Sequence, residues 1–392
     1  MGEYGDRDGF IAPRFELRVQ GIALTSDVTQ FIQSVEYESA EAMVEVMEIN
    51  LANPDFVISE RKLFLPGNKV ALWGGYDTLA FLGQGVITKV KGVFPEEGMP
   101  GLKVTAYTYD HFMNQKKPDP DKKGAQDGQR AQQVWGRVDY ADAVRDICKR
   151  HKLEDVDPDG NETIEASKKK DSYLFQEKDV TDFDFCNGLA NLIGWYFWVD
   201  GWEDGKWRMH FQSPSTVQKL QKKKYTFRYN AGDFSTLMNF EPEMLVDEFY
   251  TKVTAEVTLP SGKVIQEPFI YADHDWSTIA KTQDEKVEGA LGTASQIKVF
   301  LKDYSIEVPN TAGVRTAAQL KSFVETWLAR HQNEFMLGSG QVVGLETLRA
   351  RQIHALKGMG TVFDGDWLFS KVRHVFDSGS GYTCSFSARR ID

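Results

Sequence analysis

The sequence predicts a mostly β, α+β protein: two related β-barrel-like domains with an α/β domain between them. Three observations carry this. Residues 14 to 110 and 225 to 392 alternate apolar and polar positions with period two, as half-buried strands do. Residues 134 to 213 carry helical stripes beside an aromatic hairpin. A segment near the end of the first β region recurs near the end of the second. At 392 residues the chain exceeds one ordinary core. The expected domains are 1–118, 119–222 and 223–392.

In the first region, Arg14–Leu24 alternates around Phe15, Leu17 and Val19, and Val35, Tyr37 and Met43 to Leu51 continue the pattern. Asn53-Pro54-Asp55 and Pro66-Gly67-Asn68 are turn signals. Lys69–Trp73, Thr78–Leu82, Val86–Val93 and Leu102–Tyr109 follow as short strands, the text of a barrel or sandwich. The connection 56–65 holds Phe56, Val57, Ile58, Leu63, Phe64 and Leu65 around a charged Ser59–Lys62 centre. That much apolar surface needs cover. Either the segment folds back as a short helix on its own barrel, or Phe56, Ile58, Leu63, Phe64 and Leu65 contact a neighbouring subunit.

Gln115 to Gln133 is almost free of apolar residues and reads as a linker or loop. Tyr140 to His151 places Ala143, Val144, Ile147 and Cys148 on one helical stripe. A second helix starts at Thr181, an N-cap, with Asp184 three residues on and Gly194 at its close. Trp195–Val199 and Trp207–Phe211 then form a hairpin whose rings suggest core or, as a second reading, a sugar platform. Tyr250–Leu259 and Lys263–Phe269 bracket the Pro260-Ser261-Gly262 turn. One later helix opens on a Thr316/Gln319 capping box and buries Leu320, Phe323, Val324, Trp327, Leu328 and His331.

The internal repeat is the most informative feature. Phe81-Leu-Gly-Gln-Gly-Val-Ile-Thr-Lys-Val-Lys-Gly-Val-Phe94 aligns without gaps on Phe363-Asp-Gly-Asp-Trp-Leu-Phe-Ser-Lys-Val-Arg-His-Val-Phe376, with six of fourteen positions identical. A Gly-containing turn and a closing strand follow each copy. Duplication of one barrel-like unit explains both. Three such chains in a ring would present six similar units and keep threefold symmetry elsewhere, joining a sixfold partner to a threefold one.

Chemistry-bearing motifs are few. The net charge of −11 argues against wrapping nucleic acid. No run of eighteen apolar residues predicts a membrane span, and the polar start lacks a signal-peptide core, so folding in a cytoplasm is expected. Cys148, Cys186 and Cys384 are too scattered for a disulfide framework or a CxxC metal pair and read as reduced, buried thiols. None of the histidines has metal-ligand spacing. Asp273-His274-Asp275 would point to alternate faces of a strand. GxSxG and phosphate-loop motifs are absent, and Gly358-Met359-Gly360 reads as a loop. His374 reads as a surface residue, and Lys222–Lys224 as a solvated linker. The reading is therefore non-enzymatic, with no cofactor or metal. The alternative is a cell-wall glycan-binding or glycan-hydrolysing module built on the Trp195–Trp207 aromatics.

Three segments resemble the late-control-gene-D family of tail hub proteins, which includes contractile-phage hubs and the hub part of type VI secretion spike proteins. They are Phe15–Gly21 with Ile32–Glu38, Asp179–Gly194, and a C-terminal stretch of Ile353–Gly358 through Phe363–Trp367, His374, and Tyr382 to Arg390. The resemblance implies two tail-tube-like barrels per chain and a homotrimeric baseplate hub in a virion tail, assembled in the host cytoplasm. It implies as partners the tail tube protein, a central spike, inner baseplate or wedge proteins and the tape measure protein, with DNA only passing through. For 56–65 it implies contacts between rings. Because the chain stops at Asp392, the spike is expected to be a separate polypeptide.

Overall fold

Alternating apolar residues build most of the structure, a computed structural model describing residues 12–115, 133–136, 140–156, 173–176, 180–230, 236–245, 250–258, 262–270, 302–307, 336–391 and scattered helical positions between 317 and 327. The Asp273–Asp275 triplet, His331 and the Thr316/Gln319 capping box lie outside these residues.

The first region contains β1 (Arg14–Val19), β2 (Ile22–Ala23), β3 (Ile32–Ala40), β4 (Val46–Ala52), β5 (Lys69–Gly75), β6 (Leu79–Val93) and β7 (Gly101–Tyr107). Short helices α1 (Ser26–Thr29), α2 (Val57–Glu60) and α3 (Asp110–Met113) punctuate it. The two strands expected at 78–82 and 86–93 are one continuous β6, since Gly83 and Gly85 continue the ladder. Gly83 is required there: a Cβ would sit 2.2 Å from the Tyr37 ring.

The middle region holds β8 (Gln133–Gly136), α4 (Tyr140–Arg150), β9 (Glu154–Asp155), β10 (Tyr173–Gln176), α5 (Asp182–Leu192), β11 (Tyr196–Gly201), β12 (Trp207–Gln212) and α6 (Pro214–Leu220). Thr181 caps α5 as its sequence predicts, its Oγ1 accepting from the Asp184 N–H at 3.0 Å. Ser213 caps α6 in the same way, with Pro214 at the first helical position.

The third region contains β13 (Thr226–Arg228), β14 (Leu237–Met244), β15 (Tyr250–Thr258), β16 (Val264–Ile270), β17 (Lys302–Glu307), β18 (Met336–Val343), β19 (Gln352–Lys357), β20 (Gly365–Asp377) and β21 (Gly381–Arg390). β15–β17 form a small sheet of their own.

Thirteen described strands share one sheet, ordered β14-β18-β21-β20-β3-β4-β7-β6-β5-β1-β2, with β19 on β20 and β13 on β19. This order divides into two copies of one pattern. In the first region the path is β3-β4-β7-β6-β5-β1, and in the third it is β14-β18-β21-β20-β19-β13. The repeated segments are the fourth strand of each. Even the irregularity repeats: the β6–β7 ladder slips between Ile87 and Lys89, and the β20–β21 ladder slips between Phe369 and Lys371, at aligned positions. The copies differ at one end, where β1 runs antiparallel to β5 but β13 runs parallel to β19.

The two units share one apolar core, from Leu17, Ile49, Leu72 and Val104 through Phe227, Trp367, Phe369 and Phe386. A second core, including Val144, Ile147, Cys186, Leu189, Phe197 and Met209, belongs to the middle region.

Candidate assembly surface

The two units meet where β20 pairs antiparallel with β3. The length of β20 makes this possible: Gly365–Phe369 lies on β19, and Lys371–Asp377 lies on β3. Alternation sends Val372, His374 and Phe376 into the core and Lys371, Arg373 and Val375 to the other face. On that face Arg373 pairs with Glu36 at 3.0 Å and Glu38 at 2.7 Å, and Lys371 pairs with Glu38 at 3.0 Å. On the core face, Phe376 packs where Gly74 of β5 has no side chain, 2.2 Å from the position a Cβ would take.

A buried polar knot locks the same joint. Arg351 of the third region pairs with Glu45 of the first at 3.0 Å, both side chains nearly inaccessible. Tyr37 donates to the other Glu45 oxygen at 2.6 Å. Burial raises the Glu45 carboxyl pKa against the opposing pull of Arg351 and Tyr37. Burial likewise raises Tyr37 well above its ordinary value. Arg351 adopts a left-handed backbone with φ 72°, a conformation unusual for an arginine.

His374 corrects an expectation. It is fully buried, because position 374 falls on the inward phase of β20. Its ring contacts the Tyr382 hydroxyl at 2.8 Å, the Leu348 carbonyl at 2.9 Å and Arg349 at 3.3 Å. Burial, with Arg349 adding to it, lowers its pKa to about 3. His354 on β19 is lowered to about 3 by burial and then Lys224. Lys224 also pairs with Asp366, so the lysine run is partly tied down.

In the 56–65 connection the side chains divide by burial. Ile58 and Phe64 are buried in the shared core, and Leu63 packs against it. Ile58 is the one buried position of α2, and Leu63 and Phe64 follow just beyond it. Phe56 and Leu65 stay about half exposed, at 50% and 48%. Asp55 and Phe56 both have positive φ, 49° and 60°, which turns the Phe56 ring outward. There it meets Phe94 at 6.0 Å between ring centroids, beside exposed Val93.

Trp207 and Phe211 lie in the middle core, and Trp195 packs on Phe211. A cavity of about 510 Å³ between the middle region and the joint is lined by Trp198, Trp202, Asp200, His210, Arg349 and Arg351 among others. Trp198 already has two stacking partners from the protein itself, His210 at 4.2 Å and Arg351 at 4.2 Å. Arg208 covers Trp202 at 3.9 Å. All three cysteines are free and buried. Among the described residues, no cluster of three or more His, Cys, Asp or Glu is arranged to hold a metal.

The Alg8 N-terminal domain family matches residues 14–377, nearly the whole chain. The chain belongs to the Alg8 N-terminal domain family. No curated protein matches the sequence. The fold of the chain is that of phage tail and type VI secretion spike-related proteins. It is similar to a 43 kDa tail protein of prophage MuSo2 from Shewanella oneidensis, at TM-score 0.66 and 10% identity over 97% of this chain and 99% of that one. A tail protein from Neisseria meningitidis MC58 gives 0.63 and 11%, over 97% and 96%. A chain of the Francisella PdpA–VgrG complex gives 0.55 and 10%, over 97% and 58%.

Proposed function

We propose that the protein is a structural hub of a contractile phage or phage-tail-like particle, acting as a homotrimer and without catalysis. One observation carries the reading: a single chain contains two equivalent sheet units joined edge to edge through β3 and β20. Three copies then supply six equivalent units, which fit a sixfold tube on one side, while every other feature repeats three times and fits a trimeric spike on the other. The tail-protein fold supports the setting. The expected partners are the tail tube protein, the central spike, inner baseplate or wedge proteins and the tape measure protein, at the tail baseplate of a virion assembled in host cytoplasm. DNA passes through the ring without being read, which suits a net charge of −11.

Native mass measurement of the purified protein tests the reading. A trimer is expected, and a monomer at micromolar concentration would overturn it. Incubation with peptidoglycan tests the absence of catalysis. Turnover that disappears on mutating one carboxylate would overturn that part and favour the glycan-directed alternative.

A further inference from the structure

The joint between β3 and β20 is made once within the chain, yet both of its edges occur twice. The second pair of edges is open. β14 ends the sheet, with no described strand on its outer flank. β6 pairs with β5 only as far as Val86. Ile87 exchanges hydrogen bonds with Gly67 and Asn68, and beyond it only β7 flanks β6 among the described residues.

The registers fix which residues correspond. Lys371 faces Ser387, which faces Ser339, which faces Glu241. Lys89 faces Thr105, which faces Glu48, which faces Glu36. Glu241 is therefore the counterpart of Glu36, Glu243 of Glu38, and Phe240 of Val35. On the opposite edge, Lys89, Lys91 and Phe94 are the counterparts of Lys371, Arg373 and Phe376.

We infer that β14 of one copy pairs antiparallel with the outer half of β6 of the next, in the register of the internal joint. Lys91 then faces Glu243, Val93 faces Glu241 and Phe94 faces Phe240. This deepens the trimeric reading above and rests on it: it names the strands and residues that close the ring.

Three properties of the edges support the match. Charge is complementary: Lys89 and Lys91 would meet Glu241 and Glu243 as Lys371 and Arg373 meet Glu38 and Glu36. Among the described residues none of these four side chains forms an ion pair, and all four are exposed. Apolar groups are stranded at the same edges: Phe94 is 66% exposed, and Val93 and Met238 are also open. In the internal joint the counterpart of Phe94, Phe376, is buried. Wrong pairings are discouraged, because two β14 edges brought together would set glutamate against glutamate. Pro242 has no N–H to give, and Gly92, its expected partner, has no side chain to clash. Phe56 borders the β6 edge through Phe94, so its exposure belongs to the same surface.

Disulfide trapping in the full-length chain tests this. Strand partners in an antiparallel pair lie within the Cα separation a disulfide spans. The double variant Lys91→Cys with Glu243→Cys, oxidised mildly, should migrate as a covalent trimer on a denaturing gel, and each single variant as a monomer. A chain carrying Lys91→Cys with Asn239→Cys, displaced along the strand, should cross-link far less. Charge reversal gives an independent readout: Lys91→Glu or Glu243→Lys should weaken trimerisation by roughly tenfold or more, and the two together should restore it. A native trimer that neither cross-links at 91–243 nor responds to charge reversal overturns this register and leaves the hub reading standing. A monomeric parent protein overturns both.

Discussion

Thr88 and Ser370 occupy the same place in two strand pairs far apart in sequence. Each sits at the slip of its ladder, and each hydroxyl donates to a carbonyl of the following strand: Thr88 to Thr105 at 3.4 Å, and Ser370 to Ser387 at 3.1 Å. A slip leaves one residue without a ladder partner, and a short hydroxyl restores a hydrogen bond there.

Removing these hydroxyls tests the equivalence energetically. Ser370→Ala and Thr88→Val should each cost about 0.5–1.5 kcal/mol, the usual net value of one hydrogen bond, with Ser370 the larger because its bond is shorter. Urea denaturation measures this. A loss above about 3 kcal/mol at either site would mean that the hydroxyl holds more than its own bulge.

The Arg351–Glu45 pair should be asymmetric to mutation. Arg351→Ala strands a buried carboxylate and should cost about 3–5 kcal/mol. Adding Glu45→Gln to Arg351→Met should recover much of this, since the amide oxygen still accepts from Tyr37. Equal losses for the single and double variants would show that the pair's charge is not what matters.

Acid should weaken the fold before carboxylates titrate. His354 and His374 have folded pKa values of about 3, against about 6.5 in an unfolded chain. The unfolded state binds the extra protons, so stability is complete above about pH 6.5 and falls as pH drops towards 3. By pH 5 each histidine contributes a loss of about 2 kcal/mol. Thermal melts from pH 7 to 5 should fall steeply in the parent and less steeply in His374→Gln. Parallel curves would exclude His374 as a source.

The 56–65 segment should divide by side chain. Phe64→Ala should destabilise by about 3–5 kcal/mol, as a core phenylalanine does. Phe56→Ser with Leu65→Ser should keep a near-normal melting temperature and lose assembly with tubes or with other copies. A strongly lowered melting temperature in the second variant would place those two residues in the core as well.

How far these features were legible depends on the range of the interaction. The duplicated unit shows in sequence because apolar alternation, Gly83/Gly365 and the lysines recur at fixed spacing. Thr181 announces α5 through local capping, and Ser213-Pro214 announces α6 by the same rule. His374 reads as exposed when judged by its Arg373 neighbour and its aligned Gly92, although the alternation itself puts it in phase with Val372 and Phe376. Ile58 and Phe64 cannot be told from Phe56 and Leu65 by hydrophobicity alone, because the backbone path of the connection decides which of them point inward. The β3–β20 joint is least legible, since nothing local to Glu36 or Glu38 names a partner so distant. The alternating acids on one strand and bases on the other are its only trace.

Arg373 and Glu38 stand 335 residues apart in the chain. During synthesis at about 5–20 residues per second, β3 therefore emerges roughly 15–70 seconds before β20 is made. For that time the nascent first unit carries an unfilled edge of the same type that β14 later presents. On a polysome, several such edges wait close together while their own β20 strands are still untranslated. The order of translation thus sets a hazard of strand exchange between sister chains that lasts until β20 closes the edge.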